Sequence, residues 1–226
     1  MFAIADVILF RAIPVIGAGV ISRLMPLSII LSFLLWFAID PSLLLAYLEK
    51  PLIFCGILLT FFLTVYFGTQ LKKCSISIQA LKVIWFVIFA NTAGAILAKI
   101  IMAQSTNPLQ GALAFTFVEA WMMIAMWLLY IHRAKPIPFS ALFEKKTALN
   151  GLIIGGIMAV NVVMLVASLH YVDNPGYVSA LRFLDTVIII FIHKMIGRQD
   201  NSNKMAGLGI AASAILLIIL RELALS

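Results

Sequence analysis

Charge is scarce in this chain. Only 11% of its 226 residues are Asp, Glu, Lys or Arg, while 64% are hydrophobic and mean hydropathy is +1.13. Soluble domains carry about 25% charged and about 45–50% apolar residues, so water as the sole solvent is excluded. Cysteine is nearly absent. Cys55 and Cys74 lie in or beside apolar stretches, and they offer neither a disulfide framework nor metal-ligand spacing. No nucleophile elbow, paired-His zinc helix or Walker phosphate loop occurs. His132, His170 and His193 each lack a second His or Cys at ligand spacing, and no connection is long enough for a nucleotide-hydrolysing domain. These absences argue against an enzyme, a metal and a resident cofactor. The opening stretch MFAIADVILF has no basic residues ahead of its apolar run, so it does not read as a signal peptide.

What the chain does have is long apolar runs. Eight lie near residues 2–21, 24–46, 52–71, 76–103, 109–131, 149–171, 176–196 and 205–223. About twenty apolar residues in helical form span about 30 Å of hydrocarbon. The expected fold is therefore all-α, a polytopic membrane helix bundle of about eight transmembrane helices, in the inner or plasma membrane of a cell. As one helix, the fourth run would measure about 42 Å at 1.5 Å per residue, so it is expected to be tilted, or broken near Asn91-Thr92 where Gly94 follows. The connection HRAKPIPFSALFEKKTALN suits a surface loop or a short interfacial helix.

The net charge of +7 needs no nucleic-acid partner, because Lys and Arg collect in cytoplasmic loops of membrane proteins. Loops after the first, third, fifth and seventh runs hold ten of them, including Lys72, Lys73, Arg133 and Arg198, whereas the opposite set holds only Lys50 and Arg221. That asymmetry supports eight spans with both termini outside. Aromatic residues near run ends, among them Trp36, Tyr47, Trp127, Tyr130 and Tyr171, read as an interfacial belt.

Two short matches recur. LEK at 48–50 resembles FEK at 143–145, and QALK at 79–82 resembles SALR at 179–182. Equivalent runs are three apart, so the two copies cross the bilayer in opposite directions, a construction found in many secondary transporters. The expected division is a first, shortened transmembrane repeat over 1–103 and a second over 104–226.

The stretch NPGYVSALRFLDTVIIIFIHKMIG, followed by NKMAGLGIAASAILLIIL, resembles the last two helices of EamA-like proteins in the drug/metabolite transporter superfamily. The resemblance is clearest over residues 150–220. It implies ten helices in two inverted five-helix repeats, with a cavity between them that takes amino acids, other metabolites or drugs. Two features depart from that pattern. Gly197 is followed by Arg198 rather than Glu, and eight runs stand where ten are usual. The family also places its C-terminus in the cytoplasm, against the Lys/Arg count. The function implied is secondary transport of a small metabolite, with a membrane scaffold or accessory subunit as the alternative.

Polar residues inside apolar runs are the candidate site, because each costs about 2.5–3.5 kcal/mol near the bilayer centre if charged. Arg182 and Asp185 are three apart and share a helix face, with Ser179 extending the polar stripe. They read either as a guanidinium offered to an anionic or zwitterionic solute with its acid in attendance, or as an ion pair joining helices. Lys82 is the repeat-equivalent of Arg182, with Gln79 and Trp85 along the same side. It reads as a second cavity cation or as a lysine reaching the headgroups. Glu119, the only acid of the fifth run, is a proton-coupling candidate or a partner for Lys99, Lys82 or Arg11. Asn161 is a substrate contact or an interhelical hydrogen bond. Gly151 and Gly155 form a small-residue pair suited to close helix packing.

Overall fold

The computed structural model describes residues 2–17, 20–21, 24–70, 78–134, 138–182, 184, 188, 192, 195–196 and 203–225. Among the described residues the structure is helical with no strand: α1 (Phe2–Ile16), α2 (Leu27–Ile39), α3 (Pro41–Leu48), α4 (Pro51–Gln70), α5 (Ile78–Ala103), α6 (Pro108–Ala134), α7 (Lys145–Ser168), α8 (Pro175–Leu181) and α9 (Lys204–Leu225). Short 3-10 helices occupy Phe139–Phe143 and Leu169–Tyr171. Among the described residues five helices are long and apolar enough to cross a membrane, namely α4, α5, α6, α7 with its 3-10 extension, and α9. The bent pair α2 and α3 makes a sixth if counted as one span. The described residues are those of an all-helical, multi-pass membrane protein.

The helix starts follow from local chemistry. Asp40, Asn107 and Asn174 each precede a proline, and each side chain accepts a hydrogen bond from a backbone N–H of the first turn. Asx at the cap satisfies an orphan donor, and proline at the first helical position has no donor to lose. At Asp40-Pro41 this chemistry breaks the run expected at 24–46. The residue before proline is driven from helical geometry, Asp40 takes φ −124° and ψ 80°, and the chain turns by 105°. The first run also differs from expectation, since α1 ends at Ile16 where Gly17 adopts φ 84°, the left-handed geometry that favours glycine. The break expected near Asn91 is absent. α5 continues through it, and the polar side chains there are satisfied within the helix, Asn91 donating to the Val87 carbonyl at 3.1 Å and Thr92 to the Ile88 carbonyl at 3.0 Å.

By packing, the chain divides into two units. One comprises Met1–Ala3 and Leu97–Val172. Within it α6 packs on α7, and the end of α5 is fastened to the end of α7. Lys99 Nζ donates to the Leu169 carbonyl at 3.1 Å, and His170 Nδ1 lies 3.1 Å from the Met102 carbonyl. Outer residues of this unit such as Phe117, Trp121, Met122 and Ile157 are exposed, a surface suited to hydrocarbon. Among the described residues no helix packs on Gly151 or Gly155, where a Cβ would meet nothing within 4 Å.

The other unit comprises Ile4–Ile96 and Asp173–Ser226. One cluster joins α1 to the first half of α5 through Ala5, Ala12, Ile84 and Val87. Elsewhere α4 and α9 run antiparallel, with Gly56 against Leu220 and Gly209 against Phe67. The hydroxyls of Thr60, Thr64 and Ser213 bond to carbonyls one turn back in their own helices. They are thereby satisfied without reaching a partner helix.

Candidate functional site

A buried polar group in this second unit forms around the 105° turn. α2 presents Phe33 and Phe37, and the turn brings α3 back so that Tyr47 lies 6.3 Å and 5.9 Å from their rings. Phe54, early in α4, stacks on Tyr47 at 5.6 Å. α8 enters from the other side. The Asn174 amide donates to the Phe33 carbonyl at 3.0 Å, while its oxygen accepts from Gly176 N at 2.8 Å. Gly176 is required for this approach, since a Cβ there would lie 2.7 Å from Phe33 Cβ. So held, Tyr177 reaches Phe33 and Phe61 at 5.8 Å and 5.9 Å. Its hydroxyl meets that of Tyr47 at 2.7 Å. Tyr47, Asn174 and Tyr177 are buried, at 0%, 0% and 2% exposure.

A cation covers this pair. Arg221, on the last turns of α9, places its guanidinium 5.9 Å from the centre of the Tyr177 ring, within reach of a cation–π attraction. Its Nη2 donates to Asp173 Oδ2 at 2.8 Å and its Nη1 to Glu222 Oε1 at 3.2 Å. The side chains of Arg221 and Asp173 retain 21% and 42% exposure, so the ion pair stands at the rim while the tyrosines lie beneath. Nearby, Lys50 Nζ caps the Leu223 carbonyl at 3.2 Å. At the rim, a planar five-donor cation and a carboxylate can bind an anionic or zwitterionic group by hydrogen bonds and charge. Among the described residues no three His, Cys, Asp or Glu side chains group to hold a metal.

The residues singled out in the sequence lie elsewhere. Arg182 is exposed at the C-cap of α8. Asp185, and with it the Arg182–Asp185 pairing, lies outside the described residues. Ser179 is half-buried and donates to the Pro175 carbonyl of its own helix at 3.1 Å. Lys82 and Trp85 are exposed on α5, Trp85 at 59%, and Asn161 is exposed on α7. Glu119 is half-buried on α6. Trp36 and Tyr47 do not belong to an interfacial belt, because both are buried within the α2–α3 corner, whereas Tyr171 is exposed as a belt residue would be. Sequence reasoning missed Tyr177, Asp173, Asn174 and Arg221 altogether. The Asx-Pro pairs at 40–41 and 174–175 were the local signals that marked the place.

No protein-family model matches the chain, and neither a curated protein nor a solved structure shows significant similarity to it.

Proposed function

We propose that this protein is a secondary transporter. It moves a small metabolite, an amino acid, organic anion or drug-like solute, by alternating access between inverted repeats, as its likeness to EamA-like proteins implies. On this reading eight spans form the two repeats at 1–103 and 104–226. A proton or solute gradient supplies the energy, with Glu119 as the proton-coupling group, and the protein resides in a cell membrane without enzymatic activity. The observation that carries the reading is the turn at Asp40-Pro41 with a buried tyrosine pair and an arginine built around it. Spans interrupted in this way surround substrate sites in secondary transporters, since non-helical backbone is tolerated at membrane depth only where protein or a wet cavity receives it.

The test is counterflow in proteoliposomes loaded in turn with amino acids, organic acids and phosphorylated metabolites. Accumulation of one labelled solute against its unlabelled pool supports the reading. No accumulation of any class, with the protein folded and correctly inserted, refutes it. A second reading, a scaffold or accessory subunit, has its own observation. Gly151, Gly155 and Gly156 are exposed with open space over each, a face suited to a partner helix. Loss of a co-purifying membrane protein on Gly155→Leu, with counterflow silent throughout, would favour it.

A further inference from the structure

We infer that Arg221 seats the anionic group of the transported solute, with Asp173 as a resident counter-ion that the solute displaces. This rests on the transporter reading and names, within it, the residue and the ligand chemistry, a carboxylate or phosphate on a small molecule.

The contacts of Arg221 carry the inference. Asp173 and Glu222 take different nitrogens, Nη2 and Nη1, and a single carboxylate or phosphate spanning both nitrogens makes the stronger bidentate contact. Both acids open outward, Asp173 at 42% and Glu222 at 71% side-chain exposure, so either can rotate into solvent without leaving a charge buried. The framework does not need to move with them. Asn174, next to Asp173, is fully buried and bonded at both ends of its amide, and Arg221 stays over the Tyr177 ring. Beneath the exchange lie the Tyr47 and Tyr177 hydroxyls, the next polar groups that a solute entering past Arg221 would meet. Arg182 has no comparable setting, since no side-chain hydrogen bond or ion pair joins it to a described residue.

The test is phenylglyoxal labelling of the full-length protein in phosphatidylcholine nanodiscs, with Arg221 and the exposed Arg133 followed by peptide mass spectrometry. Sodium benzoate or inorganic phosphate is titrated against chloride at constant ionic strength. Either anion is expected to slow labelling at Arg221 several-fold while leaving Arg133 unchanged. Asp173→Asn is expected to raise the unprotected rate and lower the anion concentration that protects. Equal slowing at both arginines, or none, overturns the proposal, and the wild-type titration decides this even if the variant fails to fold. Protection by phosphatidylglycerol discs alone, with both soluble anions inactive, also overturns it in favour of a lipid headgroup. Protection with silent counterflow would sink the transporter reading and keep the anion seat. Counterflow without protection would do the reverse.

Discussion

Removing the hydroxyl of Tyr47 should cost more than removing those of Tyr47 and Tyr177 together. The two oxygens are 2.7 Å apart with 0% and 2% residue exposure, so each is the other's partner in a site closed to solvent. Tyr47→Phe strands the Tyr177 hydroxyl, and Tyr177→Phe strands that of Tyr47. A buried polar group left without a partner costs about 1–3 kcal/mol. Replacing both by apolar groups of the same shape is nearly neutral. Pairs inside membrane proteins couple more weakly, on average about 0.6 and up to about 1.7 kcal/mol, which sets the lower bound. Phenylalanine keeps the ring packing, including the 5.6 Å stack of residue 47 on Phe54 and the 5.9 Å approach of Arg221 to the ring of residue 177, so the cycle isolates the hydroxyl pair. The assay is equilibrium unfolding in mixed micelles, followed by far-ultraviolet circular dichroism, for both single variants and the double. The singles are expected to lose about 1–2 kcal/mol each and the double no more than either. A double variant whose loss equals the sum of the singles would refute the pairing, because each hydroxyl would then answer to a different partner.

Three further outcomes follow from the packing. Gly176→Ala is expected to lower stability steeply, by about 1–3 kcal/mol or more, because its Cβ would lie 3.0 Å from the Phe33 Cα and backbone cannot yield as a side-chain tip can. The same unfolding assay checks it, and a change below the measurement error would disprove the close approach. Asn174→Ala strands the buried Gly176 N–H and removes the second bond to the Phe33 carbonyl, which keeps its helical partner, at an expected cost of about 1–3 kcal/mol, and retained wild-type stability would contradict the anchoring role. Asp40→Ala removes the cap on Leu43 N and is expected to cost about 0.5–2 kcal/mol, with Asp40→Asn recovering most of it. Failure of Asn to do better than Ala would show that the cap contributes nothing at this turn.

The long helices were legible because apolar length alone specifies them in a bilayer. α4, α5, α6, α7 and α9 lie where the runs at 52–71, 76–103, 109–131, 149–171 and 205–223 place them. The turn in the second run was written locally too, as Asp before Pro, but a reading tuned to apolar length passes over a break whose flanks are apolar on both sides. The site was less legible for a different reason. Cost in hydrocarbon directs attention to charges deep within runs, hence Arg182, Lys82 and Glu119. Yet the buried polar group assembles from residues near run ends, where a tyrosine that faces headgroups and one that faces inward have the same sequence surroundings. Tyr47 and Tyr171 illustrate the ambiguity, one at 0% exposure and the other at 68%. What separates them is a partner far away in the chain, Tyr177 for Tyr47, just as Asp173 distinguishes Arg221 from an ordinary loop cation. Such pairings leave no periodicity, because α2 is almost wholly apolar and the few polar residues of α4 and α9 do not line a face that would announce the inward direction. In a chain of this kind burial cost identifies which residues need a partner. The turns at Asp40-Pro41 and Asn174-Pro175 help determine which distant residues can supply one.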